Sequence, residues 1–377
     1  MHYYFITLIL LFFLEGCNNS VQQDNDLFNK NYDPRGFTID TITDSPASRK
    51  LTVYNPWEKA NDISLEYFLV NREVIDLKNL IGKRIIRTPV QRVICLSTTH
   101  LAYLEALSVS DKIVGISGSQ YVSNPAIRNK IEEGGIPDVG YGQNLNYELI
   151  VNLKPDLVIA YGIGGEVTSY SSRLEELNIP VVMVGEYLEE SPLGKAGWIN
   201  FFGALFEKEE MAETYFQGIV EEYVELKRLA AAAKEKPKVL VGSPYKDSWW
   251  VPGGNSYLAN LIADAGGEYL GRRNRSHESY VISFENALAW GSEADIWINM
   301  SNLSSKREIL ASDERFKSFR VFNEGKLFNN IRGLSSHGGN DFWESGTINP
   351  HLVLRDLISI FHPELIEEKL TYYQEIQ

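Results

Sequence analysis

The chain is poor in cysteine, in histidine and in positive charge. Two cysteines in 377 residues exclude a disulfide-built scaffold. Cys95 sits in the apolar run Val93-Ile94-Cys95-Leu96 and reads as a small buried hydrophobe. The six histidines are scattered. Only His337 with Asp341 in one loop, and His100 as a third ligand, offers a bare-metal reading. A formal net charge of −14 and a pI near 5.0 exclude nucleic acid as a partner. Phosphate-binding and catalytic signatures are missing too. Gly162-Ile163-Gly164-Gly165 lacks dinucleotide spacing, and Gly242-Ser243-Pro244 is no nucleophile elbow. No cofactor and no resident metal are expected. Beyond the N-terminus, no apolar run is long enough to cross a bilayer.

What is present begins at that N-terminus. Phe5–Leu14 is apolar but too short for a transmembrane helix, and fits the core of a secretory signal. It ends at Leu14-Glu15-Gly16-Cys17, which resembles the lipobox of bacterial lipoproteins. That resemblance implies removal of residues 1–16, lipidation of Cys17, and a protein held on the outer side of a membrane. Residues 17–49 are polar and read as a flexible tether. Residues 50–90 read as a small β-rich extension, from runs such as Leu51–Tyr54 and Tyr67–Val70.

The rest of the chain alternates short apolar runs with helical stretches, the pattern of parallel βαβ units in an α/β fold. One motif occurs twice. Asn146-Tyr147-Glu148 leads through a short helix to Asp156-Leu157-Val158-Ile159. Ser283-Phe284-Glu285 leads through another to Asp295-Ile296-Trp297-Ile298. Between the copies, residues 207–236 contain one glycine and no proline. Met211, Tyr215, Ile219, Tyr223 and Leu226 recur there at helical spacing. The expected architecture is a first α/β lobe (91–206), a single rigid linking helix (207–236) and a second α/β lobe (237–377).

From Arg92-Val93-Ile94-Cys95-Leu96 through Ile136-Pro137-Asp138-Val139-Gly140, Asn146-Tyr147-Glu148 and Lys154-Pro155-Asp156, to Gly253-Gly254 and Gly266-Gly267, the chain resembles a family. It is the periplasmic binding proteins for iron siderophores, haem and cobalamin, of the helical-backbone class. The resemblance implies a monomeric substrate-binding lipoprotein of an ABC importer. It also implies that one surface glutamate per lobe, here Glu148 and Glu285, docks on the membrane permease. A helix feeding a parallel strand starts at the sheet end where ligand crevices lie, so both glutamates are expected at the rim of an inter-lobe cleft.

Loops after the strand ends are expected to line that cleft. The candidates are Tyr121, Tyr161, Tyr245, Trp249, Trp250, Arg272, Arg273, Arg332, His337 and Trp343. Aromatic rings and guanidinium groups together suit an anionic chelate such as a ferric siderophore. Cobalamin requires aromatic walls and fewer charges, and haem belongs to the same alternative. A competing reading is a two-lobed extracytoplasmic enzyme with Glu148 and Glu285 as an acid/base pair.

Overall fold

The first described strand lies inside the predicted tether. In the computed structural model, which describes residues 34–43, 45–162, 167–245 and 248–377, β1 (Phe37–Thr41) pairs antiparallel with β2 (Arg49–Tyr54). β2 pairs antiparallel with β3 (Ser64–Asn71), and β3 parallel with β4 (Arg84–Thr88). The tether expectation fails from Phe37 onward because Phe37 is buried against Trp198 and Phe201 of the first lobe. The signal segment and Cys17 lie outside the described residues.

The first lobe is a parallel sheet of β5 (Val93–Cys95), β6 (Ile113–Ile116), β7 (Leu157–Ala160) and β8 (Val181–Met183), in the order β6-β5-β7-β8. Every residue of β5, β7 and β8 is buried, as expected of strands covered by helices on both faces. The second lobe starts with β9 (Lys238–Val241). A small antiparallel sheet follows, made of β10 (Pro244–Tyr245), β11 (Ser248–Val251) and β13 (Tyr280–Ile282), with β12 (Glu268–Tyr269) between them in sequence. The main sheet is completed by β14 (Ile296–Ile298), β15 (Lys326–Asn329) and β16 (Gln374–Glu375), in the order β12-β9-β14-β15-β16. Only β16 runs antiparallel. Within each lobe the strand after the repeated helix, β7 or β14, lies directly beside the lobe's first strand.

The linking helix spans Glu209–Ala230, about 33 Å at 1.5 Å per residue. It packs between the first-lobe helix Ile199–Phe206 and the second-lobe helix Pro350–Phe361. Its buried stripe is Ala212, Phe216, Ile219, Val220, Tyr223, Leu226 and Ala230, which keeps Ile219, Tyr223 and Leu226 of the predicted stripe but departs from it in the first two turns, where Met211 is 40% exposed. Glu209 and Glu210 occupy the first turn and Lys227 and Arg228 the last, matching the helix dipole. The helix stops short of residue 236. Ala232 and Ala233 donate instead to the carbonyls three residues back, a tightened final turn ahead of Pro237.

Candidate functional site

A cavity of about 730 Å³ lies where the first lobe's strand-end loops meet the second lobe, a size within the usual range for small-molecule sites. From the first lobe come Ser97 and Thr98 after β5, Gln120 and Tyr121 after β6, Asp138 and Tyr141 from the segment that follows, and Tyr161 after β7. From the second come Gly338, Gly339, Asn340 and Trp343. The region 333–349 contains the short helix Asp341–Glu344, and this helix carries Trp343 onto the cavity.

The wall is aromatic and carries one carboxylate. The Tyr161 hydroxyl donates to the Tyr141 hydroxyl at 3.0 Å. Burial, and then this bond, holds the Tyr161 phenol protonated well above the usual tyrosine range. Tyr170 and Tyr187 fix the backbone behind it by donating to the carbonyls of Tyr161 and Gly162. Both oxygens of Asp138 are engaged by backbone, accepting from Ser119 N–H at 2.7 Å and Gly140 N–H at 2.8 Å. No lysine or arginine lines the cavity among the described residues.

The predicted residues divide. Tyr121, Tyr161 and Trp343 come together on the cavity, Tyr121 and Trp343 being about half exposed. Tyr141 and Asp138 also line the wall and lie outside the loops expected there, whereas Gln120 belongs to the expected loop before Tyr121. Asp138 makes only a single bridge, to Ile116 of β6, and no strand forms there, so no strand end marked Asp138 or Tyr141. Trp249 is in the core instead, 2% exposed and stacked on Trp297 and Phe319. The alternation of β11 turns it inward and turns Trp250 outward, off the cavity wall. Arg272 and Arg273 line a separate cavity of about 740 Å³ beside Lys238 and Glu293, at the starting end of β9 and away from the cleft. Arg272 donates there to the Ala259 carbonyl. Arg332 and His337 are exposed and do not line the cavity. The side chain of Tyr245 lies outside the described residues.

His100 is fully buried, with neither ring nitrogen hydrogen-bonded among the described residues. Its ring lies 6.4 Å from that of Tyr161, and burial lowers its pKa. Among the described residues no group of three or more His, Cys, Asp or Glu side chains is arranged to hold a metal ion.

Glu148 and Glu285 occupy the same place in their lobes. Each is exposed and is the second residue of its helix, Tyr147–Leu153 or Phe284–Glu293. In each, the residue two places earlier caps the helix, Asn146 accepting from Leu149 N–H and Ser283 from Asn286 N–H. Neither glutamate lines the cavity.

Residues 93–329 match the family model for periplasmic binding proteins. An uncharacterised lipoprotein of Methanocaldococcus jannaschii is 27% identical over 300 residues, covering 77% of this chain and 69% of that protein. A vitamin B12-binding protein of Yersinia pestis is 39% identical over a shorter stretch of 93 residues, 24% of this chain and 30% of that one. Among solved structures, a periplasmic heme binding protein of Pseudomonas aeruginosa shares the fold with a TM-score of 0.60 at 17% identity, covering 76% of this chain and 98% of that one. In the described residues no helix is long and apolar enough to cross a membrane. Two α/β lobes, one linking helix and a cavity between them thus agree with the family match: the chain belongs to the periplasmic binding protein family.

Proposed function

We propose that this protein is the extracytoplasmic substrate-binding component of an ABC importer, and that its cargo is a flat metal chelate of little net charge, of the cobalamin class. The observation that carries the cargo reading is the cavity wall. Tyr121, Tyr141, Tyr161 and Trp343 supply ring faces and edges. No cation lines the wall among the described residues, and the one carboxylate is spent on backbone N–H groups. An anionic ferric catecholate would need the guanidinium groups that the sequence suggested, but Arg272 and Arg273 lie elsewhere. The stretch shared with a vitamin B12-binding protein supports the same choice.

Delivery to a permease rests on Glu148 and Glu285, two exposed carboxylates in equivalent positions. Lipid attachment at Cys17 rests on the lipobox-like sequence and on a relative named as a lipoprotein. The enzyme reading finds no support in the geometry, since the two glutamates stand on different lobes and outside the cavity.

The test is a tryptophan-fluorescence titration with cyanocobalamin, haem, a neutral ferric hydroxamate and an anionic ferric catecholate. Saturable quenching by cyanocobalamin, weakened at least tenfold in Trp343→Ala, is expected. Binding of the catecholate in preference to cyanocobalamin would overturn the cargo assignment.

A further inference from the structure

The second-lobe wall of the cavity is fastened to the first lobe by one carboxylate. Glu344 ends the short helix that carries Trp343 and is 3% exposed. One of its oxygens accepts the Ser123 N–H at 2.7 Å, and the other accepts the Asn124 N–H at 2.8 Å. Asn124 itself caps the first-lobe helix Pro125–Glu132, accepting from Ala126 and Ile127 N–H. The carboxylate therefore sits at the positive end of a helix belonging to the other lobe. A second contact lies close by. A Cβ on Gly339 would come within 2.5 Å of the Tyr121 carbonyl oxygen, so the second-lobe loop reaches the first lobe only because that residue is glycine. Asn340 and Trp343, both on the cavity wall, lie in sequence between these two contacts.

We propose that Glu344 is a positioning residue that latches the second-lobe wall of the cavity onto the first lobe and so sets how tightly the cavity closes. The latch belongs to the two-lobed fold and does not depend on which cargo fills the cavity.

The latch is coupled to protons. Burial holds the Glu344 carboxyl above the usual range, at about 7. The Ser123 and Asn124 N–H groups lower it, Asp341 on its own helix raises it, and Arg128 on the first-lobe helix lowers it. The helix Thr99–Ala106, packed against this segment, carries His100, Tyr103 and Glu105, and Tyr372, near the C-terminus, approaches the residue after Glu344, its hydroxyl 3.1 Å from that of Ser345. In an open form Glu344 is solvated and titrates in the ordinary glutamate range. The closed form then binds more protons than the open one, so closure strengthens as pH falls through 7 and weakens as pH rises through it.

Amide hydrogen exchange of the full chain, with no ligand added, tests this directly. After correction for intrinsic exchange, protection of the Ser123 and Asn124 amides in the wild type should rise about tenfold from pH 8 to pH 6. Glu344→Gln, which cannot titrate, should show a flat profile. Equal wild-type protection at both pH values, or an unchanged profile in Glu344→Gln, would overturn the latch. If Glu344→Gln fails to fold, the wild-type series decides alone. Because no cargo is present, failure here leaves the cargo assignment standing, and failure of the cargo titration leaves the latch standing.

Discussion

The two lobes perform the same backbone task with side chains drawn from different places. In the first, the Arg92 N–H that precedes β5 donates to Asp156 at 2.9 Å. In the second, the Lys238 N–H that opens β9 donates to Asp295 at 2.9 Å. Each aspartate stands just ahead of the repeated motif's strand and ties that strand to the lobe's first one. The carbonyls at the end of each repeated helix are also capped by an arginine. Arg92, just ahead of β5, reaches the carbonyls of Leu153 and Lys154. Arg320, downstream of β14, reaches those of Ser292, Glu293 and Ala294. The repeat thus fixes which backbone groups must be satisfied and leaves open where the satisfying side chain comes from. The cores differ as well. Ile94, Val139, Val158 and Leu174 belong to a mainly aliphatic cluster in the first lobe, outside which that lobe buries Tyr103, Trp198, Phe201 and Phe202. Trp249, Trp297, Phe316 and Phe319 make the second lobe's cluster aromatic.

The sharpest way to break this comparison is to empty one core. Trp249→Ala should cost about 3–5 kcal/mol in urea unfolding, whereas Trp343→Ala, at an exposed site, should stay within about 0.5 kcal/mol of wild type while losing cargo affinity. Next, Asp156→Ala should destabilise by about 2 kcal/mol, since that carboxylate also takes the Gln91 N–H and pairs with Arg72. Replacing Glu148 or Glu285 by alanine should weaken permease binding roughly tenfold for either glutamate, read by stimulation of the importer's ATPase, with unfolding unchanged. A large loss from one and none from the other would show that the lobes are not equivalent at the membrane. The smallest effect, about 1 kcal/mol, is expected for Asp295→Ala, whose side chain is half exposed.

Most of the strand frame was legible in the sequence because fully buried parallel strands are short uninterrupted apolar runs, as in β5, β7 and β14. The twin helices were legible because Asn146 and Ser283 are good caps. β1 was not legible, because its only buried residue, Phe37, finds its partners at Trp198 and Phe201, far along the chain. The cavity was legible in half. Tyr121, Tyr161 and Trp343 follow from strand ends and loops, whereas Asp138 and Tyr141 depend on a segment with no strand of its own. Trp249 and Trp250 are neighbours in a loop-like stretch, and only their assignment to a strand decides which one turns inward. The arginines misled because clustering in sequence does not say at which end of a sheet a turn will lie.

The N-terminal sheet has a mechanical consequence. The Tyr67 hydroxyl of β3 accepts the Met183 N–H at 3.1 Å, and Glu189 of the first lobe accepts the Gly36 N–H at 3.0 Å. Arg72 pairs with Asp156, and Arg49 with Glu209 at the near end of the linking helix. A pull applied ahead of Phe37 is therefore carried into the first lobe and the base of the spine. From there it passes to the second lobe by way of the linking helix, which packs on both lobes.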